Sequence, residues 1–402
     1  MSDIVQPAMI HAEGRRGWRT ALLRRVIAGL RYGGLVCVTP EGHRLEVQGD
    51  LPGPQARLVL HDWRLLRALA LEGDTGFANA YIDGGWSSPD LSALLQICNL
   101  NFSGQAEGGL SAPLRALQGL RHKRRANSRA GARRNIMAHY DLGNGFFARW
   151  LDETMLYSSG LYEGGAATLE AAQAAKLALI AEWLAVEPGQ SVLEIGCGWG
   201  ALARHLGQQG AKVTGLTISP AQLAWGQQVI RDAGLEERVE LVLRDYRDEA
   251  GRYDRIVSVE MFEAVGEAYW PGYFQTLRQR LKPGGKAVLQ VISIAAERFA
   301  AYRRSPDFIQ SHIFPGGMLP AKAEIAAQAR AAGLVPGRVR HFGASYARTL
   351  AAWRERFTAA WPALEGQGFD ERFRRLWDYY LCYCEAGFLT GSVDVGLYEL
   401  QG

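Results

Sequence analysis

The sequence predicts an α/β protein in which a parallel, doubly wound sheet carries the chemistry and a smaller α+β domain precedes it. Three observations support this. Residues 191 to 200, SVLEIGCGWG, read as a buried strand, then a glycine turn at Gly196, Gly198 and Gly200, then a helix opening near Ala201. Beyond the turn, strand and helix patterns alternate regularly to about residue 294, as in sheets whose ligands bind at the strand C-terminal ends. At 402 residues the chain is long for one core, so two domains are expected.

Composition removes several classes of function. With 48% hydrophobic and 21% charged residues the chain has the balance of a globular protein. No apolar run approaches the roughly 20 residues of a membrane span. The N-terminal MSDIVQPAMIHAEG has no apolar signal-peptide core, so a cytoplasmic location is expected. Cys37, Cys98, Cys197, Cys382 and Cys384 show no metal-ligand spacing, and reduced, packed thiols are expected. The net charge of +4 matters less than its distribution, because Arg115, Arg121, Lys123, Arg124, Arg125, Arg129, Arg133 and Arg134 crowd one segment.

In residues 14 to 34, Leu22, Leu23, Val26, Ile27 and Leu30 recur at helical spacing between arginines. They form either a helix docked on its own domain or a basic amphipathic helix on an anionic membrane. LVCVTPEG, HRLEVQG and ARLVLHD then read as short strands, and two helices flank the turn DGGW. This first α+β domain, taken as lipid- or membrane-associating, spans residues 1–102. Residues 103–135 read as a basic linker, either solvated or gripping lipid headgroups; nucleic acid is disfavoured because aromatics are not interleaved with the charge.

The aromatic-rich stretch 136 to 165 suits a lid or pocket wall. Thr168 caps a helix running to about Val186. After the glycine turn, KVTGLTIS, RVELVLRD, YDRIVSVEM and KAVLQVISI read as strands, with helices at AQLAWGQQVIRDAG and from Tyr269 to Leu281. LVPGRVRHFG and GSVDVGLYEL supply later strands, with helices between Leu350 and Phe388.

Glu194, at the strand end, can accept hydrogen bonds from hydroxyl or ammonium groups. Residues 215 to 219, GLTIS, lack the ribose-binding acid of dinucleotide folds, and no GK[ST] is present for phosphates. A ligand with a ribose and a charged amino-acid tail fits better than a dinucleotide. VLEIGCGWG followed by VTGLTISPAQ, RDYRD and FEAVG resembles the class I S-adenosylmethionine methyltransferases, specifically the cyclopropane fatty acid synthase family. HYDLGNGFFARWLDETMLYSSGLY, FPGG at 314 to 317, SYARTLAAW, GFLTGSVDV and AYIDGGW extend the resemblance over nearly the whole chain.

The resemblance implies a Rossmann-like class I methyltransferase sheet with helices on both faces, over residues 136–402. It implies S-adenosylmethionine over Gly196 and Gly198, with Glu194 orienting nearby groups and Val259 flanking the site. Thr217, Ile218 and Gln222 would surround the ribose, Asp245 and Tyr246 would meet the adenine, and Tyr157 and Ser158 the methionine portion.

The implied reaction is attack by a double bond of an unsaturated phospholipid acyl chain on the sulfonium methyl, giving a carbocation. Such an ion needs an aromatic, water-excluding pocket, for which Phe146, Phe147, Trp150, Tyr157, Tyr162, Phe262, Tyr346 and Trp353 are candidates. In the family a bicarbonate ion is the base. Here the family's cysteine is replaced by Ser159, and two histidines by Gln290 and Ala264, whereas Glu263 and Tyr346 match and Ile292 offers a backbone donor. Either bicarbonate persists on Ser159 and Gln290, or Glu263 or Glu260 takes the proton itself. Loss of that proton from the added methyl gives cyclopropane or methylene; loss from the chain gives a methyl-branched alkene. Expected partners are unsaturated phospholipid acyl chains and an anionic membrane surface on its inner face, with a homodimer among the expected assemblies and no nucleic acid. Small-amine N-methylation and non-catalytic lipid binding are the alternatives.

Overall fold

The computed structural model describes residues 10–12, 17–102 and 142–402. The basic run from Arg115 to Arg134 lies outside the described residues, as do residues 136–141 of the expected lid. The chain forms two compact units. The first contains the described residues up to Phe102 together with Arg304–Phe308 and Pro362–Ser392; the second contains the described residues from 142 to Arg303 with Ile309–Trp361 and Val393–Gly402. Unlike the continuous 136–402 span read from sequence, residues near the C-terminus group with the first unit.

In the first unit, strands β1 (Ile10–Ala12), β2 (Tyr32–Val38), β3 (Arg44–Gln48), β4 (Leu51–Leu60) and β5 (Trp86–Ser87) form a sheet ordered β1-β3-β2-β4-β5. Only β2 and β4 pair in parallel. Alternation sets the buried face: Leu45 and Val47 of β3 point inward between exposed Arg44, Glu46 and Gln48. Helix α1 spans Trp18–Ile27. The stretch read as one helix before DGGW is two, α2 (Arg64–Glu72) and α3 (Asp74–Ile82), because Gly73 takes φ +58° between them. Helix α4 (Leu91–Phe102) follows.

In the second unit, a single-turn helix α5 (Asn144–Phe147) and helix α6 (Leu169–Leu184) precede β6 (Ser191–Ile195). Thr168 Oγ1 caps α6 by accepting from the Ala171 amide at 3.2 Å. Next come α7 (Ala201–Gln208), β7 (Lys212–Thr217), α8 (Pro220–Asp232), β8 (Val239–Leu243), β9 (Tyr253–Val259), α9 (Trp270–Arg280) and β10 (Leu281–Ile294). Then follow α10 (Ala296–Arg304), α11 (Lys322–Ala331), β11 (Val335–His341) and α12 (Gly343–Glu365). Helix α13 (Glu371–Leu389) belongs to the first unit, and β12 (Val393–Gln401) closes the second unit's sheet.

The strand order is β11-β12-β10-β9-β6-β7-β8, with helices on both faces. Strands β10, β9, β6, β7 and β8 pair in parallel, whereas β12 runs antiparallel to both β10 and β11. The five strands of the alternating region are parallel as expected, and the later strands, whose direction the sequence did not give, make the sheet mixed. Strand direction follows from the connection, and the near-continuous burial of β12 is equally compatible with either direction. The parallel C-terminal ends of β6, β7, β9 and β10 gather the candidate site residues.

Candidate active site

The turn after β6 is built for close approach. Gly196, Gly198 and Gly200 take φ of +84°, +52° and +87°, a region costly for side-chain-bearing residues. The amides of Gly196 and Cys197 donate to the Leu216 carbonyl at 3.0 and 2.8 Å, tying the turn to β7. A Cβ on Gly196 would lie 3.0 Å from Met261 Cγ, and one on Gly200 3.2 Å from Leu241, whereas one on Gly198 would meet nothing within 4 Å. The backbone at Gly198 therefore presents an open face. Thr217 Oγ1 donates to Gln222 Oε1 at 3.0 Å and accepts from the Ser219 amide at 3.1 Å, which fixes two of the three expected ribose-side residues. Ile218 and Val259 are half-buried at the ends of β7 and β9.

Asp245 holds Arg247: its Oδ1 accepts from the Arg247 amide and Nε, and its Oδ2 pairs with the guanidinium at 2.5 Å. The Tyr246 ring lies edge-on to Tyr273, with Arg247 over its face. Glu194 is only 3% exposed, burial pushes its pKa up to about 8, and its Oε2 has no hydrogen-bond partner among the described residues. An open glycine turn beside a buried acceptor fits a ligand carrying hydroxyl and ammonium groups.

A second constellation lies at the ends of β9 and β10. Glu260 takes φ +50°, rare for a residue with a side chain, and its amide donates to the Gln290 carbonyl at 2.8 Å. Its carboxylate is held by three donors. The Ser159 amide (2.9 Å) and Gln290 Nε2 (2.7 Å) donate to Oε1, and Tyr346 Oη (2.6 Å) donates to Oε2. Burial raises the Glu260 pKa, opposed by the Tyr346 and Ser159 hydrogen bonds, the Lys176 charge and the Gln290 hydrogen bond. Glu263 Oε1 accepts from the Ile292 amide, its Oε2 is buried without a partner among the described residues, and burial together with the Glu260 charge pushes its pKa up to about 8.

Ser159 thus contributes its amide, while its hydroxyl donates to the Gly160 carbonyl at 2.8 Å. Of the residues that the resemblance ties to bicarbonate, Gln290, Tyr346 and the Ser159 amide converge on the Glu260 carboxylate, whereas Glu263 and the Ile292 amide pair with each other.

The family model described as mycolic acid cyclopropane synthetase matches residues 127–397. The chain belongs to this family. It is 40% identical over 343 residues to the tuberculostearic acid methyltransferase UfaA1 of Mycobacterium tuberculosis, covering 82% of this chain and 79% of the relative. It is 38% identical to the cyclopropane-fatty-acyl-phospholipid synthase of Escherichia coli, covering 81% and 82%. Among solved structures, the cyclopropane synthase MmaA2 from Mycobacterium tuberculosis aligns with a TM-score of 0.63 at 31% identity, over 67% of this chain and 98% of that one. The mycolic acid cyclopropane synthase CmaA1 complexed with SAH and CTAB aligns with a TM-score of 0.60 at 31% identity, over 67% and 98%. As a member of the cyclopropane synthetase family, the protein is an S-adenosylmethionine-dependent methyltransferase.

Within this family fold, α5 sits on the glycine turn: Trp199 Nε1 donates to Asn144 Oδ1 at 2.8 Å, and Asn144 Nδ2 donates to the Ala221 carbonyl at 3.0 Å. From there an aromatic cluster extends. Phe147 lies 5.3 Å from both Trp199 and Tyr157, Tyr157 lies 5.3 Å from Trp353, and Trp353 contacts Trp150 and Tyr346. Phe146 packs edge-on against Phe147 and Trp150. Two expected pocket aromatics lie elsewhere. Phe262 is in the hydrophobic core with Trp270, Tyr273 and Phe274, and Tyr162 sits beneath the Arg348 guanidinium.

Sequence reading missed four residues of this site. Asn144 and Trp199 join α5 to the turn, while Lys176 and Gln173 on α6 hold Ser158. Lys176 Nζ donates to Ser158 Oγ at 2.7 Å, and Gln173 Nε2 donates to the Ser158 carbonyl at 2.9 Å. A lysine and a glutamine three positions apart, on the otherwise apolar stripe of LEAAQAAKLALIAEWL, were the available signal.

Proposed function

We propose that the protein methylates the carbon–carbon double bond of an unsaturated phospholipid acyl chain, with Glu260 as the base that completes the reaction. The observation that carries this reading is the Glu260 carboxylate, held by Ser159, Gln290 and Tyr346 beside the aromatic cluster. S-adenosylmethionine, when bound, supplies an electrophilic methyl group. Gly196, Gly198, Thr217, Ile218, Gln222, Asp245, Tyr246 and Val259 would hold its nucleoside side, and Glu194, Tyr157 and Ser158 its amino-acid side.

The alkene carbon that does not bond the methyl develops positive charge. The faces of Tyr157, Trp150 and Trp353 favour that charge and keep water from quenching it. Glu260 then accepts the proton whose departure neutralises the product. Its three donors favour the anion, and burial makes that anion more basic than an exposed carboxylate. Glu263, with its pKa near 8, retains its own proton at neutral pH and is the poorer base. A bicarbonate ion is not required in this arrangement.

The acyl chain is drawn from a membrane. Trp18, Leu22 and Val26, at i, i+4 and i+8 on α1, are 72%, 42% and 44% exposed, and the exposed Arg19 and Arg25 flank them. An apolar stripe beside exposed arginines suits an anionic bilayer surface, here the inner face of the cell membrane. No helix among the described residues is long and apolar enough to cross a membrane. A structural likeness to coclaurine N-methyltransferase at 19% identity carries the fold alone and does not favour amine methylation.

Mass spectrometry of acyl chains from an expressing host fed trideuteromethyl methionine tests the reading. Three retained deuteriums mean a methyl branch and two mean a ring or methylene, whereas lipids without an added carbon overturn it. Glu260→Gln should lower turnover about 100-fold or more with cofactor affinity retained; a fully active variant removes Glu260 from the base role.

A further inference from the structure

Helix α6 carries a buried ammonium that the reaction described above leaves without a task. Lys176 is 2% exposed, yet among the described residues its one hydrogen-bond acceptor is Ser158 Oγ, and it forms no direct ion pair. An ammonium removed from water in this way costs several kcal/mol before compensation, so a purely structural role is better served by leucine or methionine. One helical turn earlier, Gln173, 1% exposed, holds the same serine by its carbonyl. The pair grips Ser158 at both its hydroxyl and its carbonyl oxygen. The Ser158 carbonyl belongs to the peptide whose N–H is that of Ser159, and this N–H donates to Glu260 Oε1. On the other side, Thr349 Oγ1 accepts from the Gly160 amide at 3.0 Å, so the 158–160 segment is held between α6 and α12.

We propose that Lys176 and Gln173 are positioning residues that aim the Ser159 amide at Glu260, and that the Lys176 charge keeps this buried carboxylate ionised. The groups facing the Lys176 charge are Glu260 beyond β9, Glu194 on β6 and Asp152 in the loop before Tyr157. Burial lowers the Lys176 pKa to about 8, against the pull of these three acids, so the ammonium is still mostly charged at neutral pH. Its charge favours the anionic form of both Glu260 and Glu194. The two residues act by different routes: Gln173 by geometry alone, Lys176 by geometry and charge.

This role rests on Glu260 being the base, so the test measures pH–rate profiles for the wild type, Glu260→Gln, Lys176→Met, Lys176→Gln and Gln173→Met, alongside S-adenosylmethionine affinity by calorimetry. Without the Lys176 charge the Glu260 pKa rises, so less of it is ionised at a given pH. The acid limb should move up by about one pH unit in both Lys176 variants, with kcat at pH 7 at least tenfold lower. Gln173→Met should lower kcat and leave the limb in place. Lys176→Gln keeps a donor and decides the matter where Lys176→Met does not fold. A limb absent from Glu260→Gln but unmoved by loss of the Lys176 charge overturns the proposal and leaves Glu260 as base. A limb retained in Glu260→Gln removes the base and this role with it. A uniform loss of rate in all α6 variants, with falling cofactor affinity and no limb shift, assigns α6 to cofactor support and overturns the proposal as well.

Discussion

At the scale of single residues, the backbone of Gly196 and the carboxyl of Glu263 carry the sharpest expectations. Gly196 combines φ +84° with a Cβ position 3.0 Å from Met261 Cγ. Gly196→Val should cost about 1–3 kcal/mol in backbone strain and abolish measurable S-adenosylmethionine binding by calorimetry; unchanged affinity would place the cofactor elsewhere. Glu263 has its pKa raised from 4.5 to about 8. Between those values the native state binds more protons than the unfolded chain, so this group makes stability fall as pH rises. Glu263→Gln should flatten that fall between pH 5 and 8 in urea unfolding; an unchanged slope would mean that Glu263 titrates normally. Glycine spacing made the turn legible in sequence. Which of Glu260 and Glu263 receives the Ser159, Gln290 and Tyr346 donors was not, because it depends on contacts between distant stretches of chain.

At the scale of elements, α1 and α6 show what hydrophobic periodicity can and cannot say. The apolar positions of α1 split into a buried row, Leu23 and Ile27, and an exposed row, Trp18, Leu22 and Val26. Both sequence readings of this helix, docking on its own domain and facing a membrane, thus find residues to support them. Leu22→Asp with Val26→Asp should lower binding to anionic vesicles at least tenfold while leaving the thermal midpoint within about 2 °C, since exposed substitutions are near neutral for stability. Unaltered vesicle binding would assign the membrane contact to another element. In α6 the apolar stripe that marks a helix also conceals Lys176, because a polar residue on a buried face reads as an interruption until its partner is seen. Aromatic supply was legible in the same partial way. Phe147, Trp150, Tyr157 and Trp353 converge, whereas Phe262, equally apolar, faces the core beneath the sheet.

At the scale of the whole molecule, the first unit is completed by residues from the far end of the chain. Arg375 of α13 donates to the Tyr81 and Trp86 carbonyls at 2.6 and 2.7 Å and lies over the Tyr81 ring, while Tyr81 Oη donates to Asp378. Arg375→Ala should destabilise this unit by about 2–3 kcal/mol, the worth of a charged hydrogen-bond pair with its partners left unsatisfied. Urea unfolding followed by near-ultraviolet signal should show it, and a loss below about 0.5 kcal/mol would reduce these contacts to surface packing. A boundary drawn by sequence order missed this assembly, because composition does not change where α12 gives way to α13.

The sequence by itself determined the glycine turn, the strand–helix alternation around it and the family. These are local or additive properties, set by which residues follow one another. Only the tertiary structure decided that β12 runs antiparallel, that α13 completes the first unit, and that Glu260 is the carboxylate held by the Ser159 amide, Gln290 and Tyr346. The last of these depends on the Ser159 amide and the Gln290 and Tyr346 side chains, far apart in sequence, meeting at the Glu260 carboxylate. That convergence comes from sheet register, from the left-handed backbone at Glu260 and from the grip of α6 on Ser158, none of which is written in any one stretch of chain.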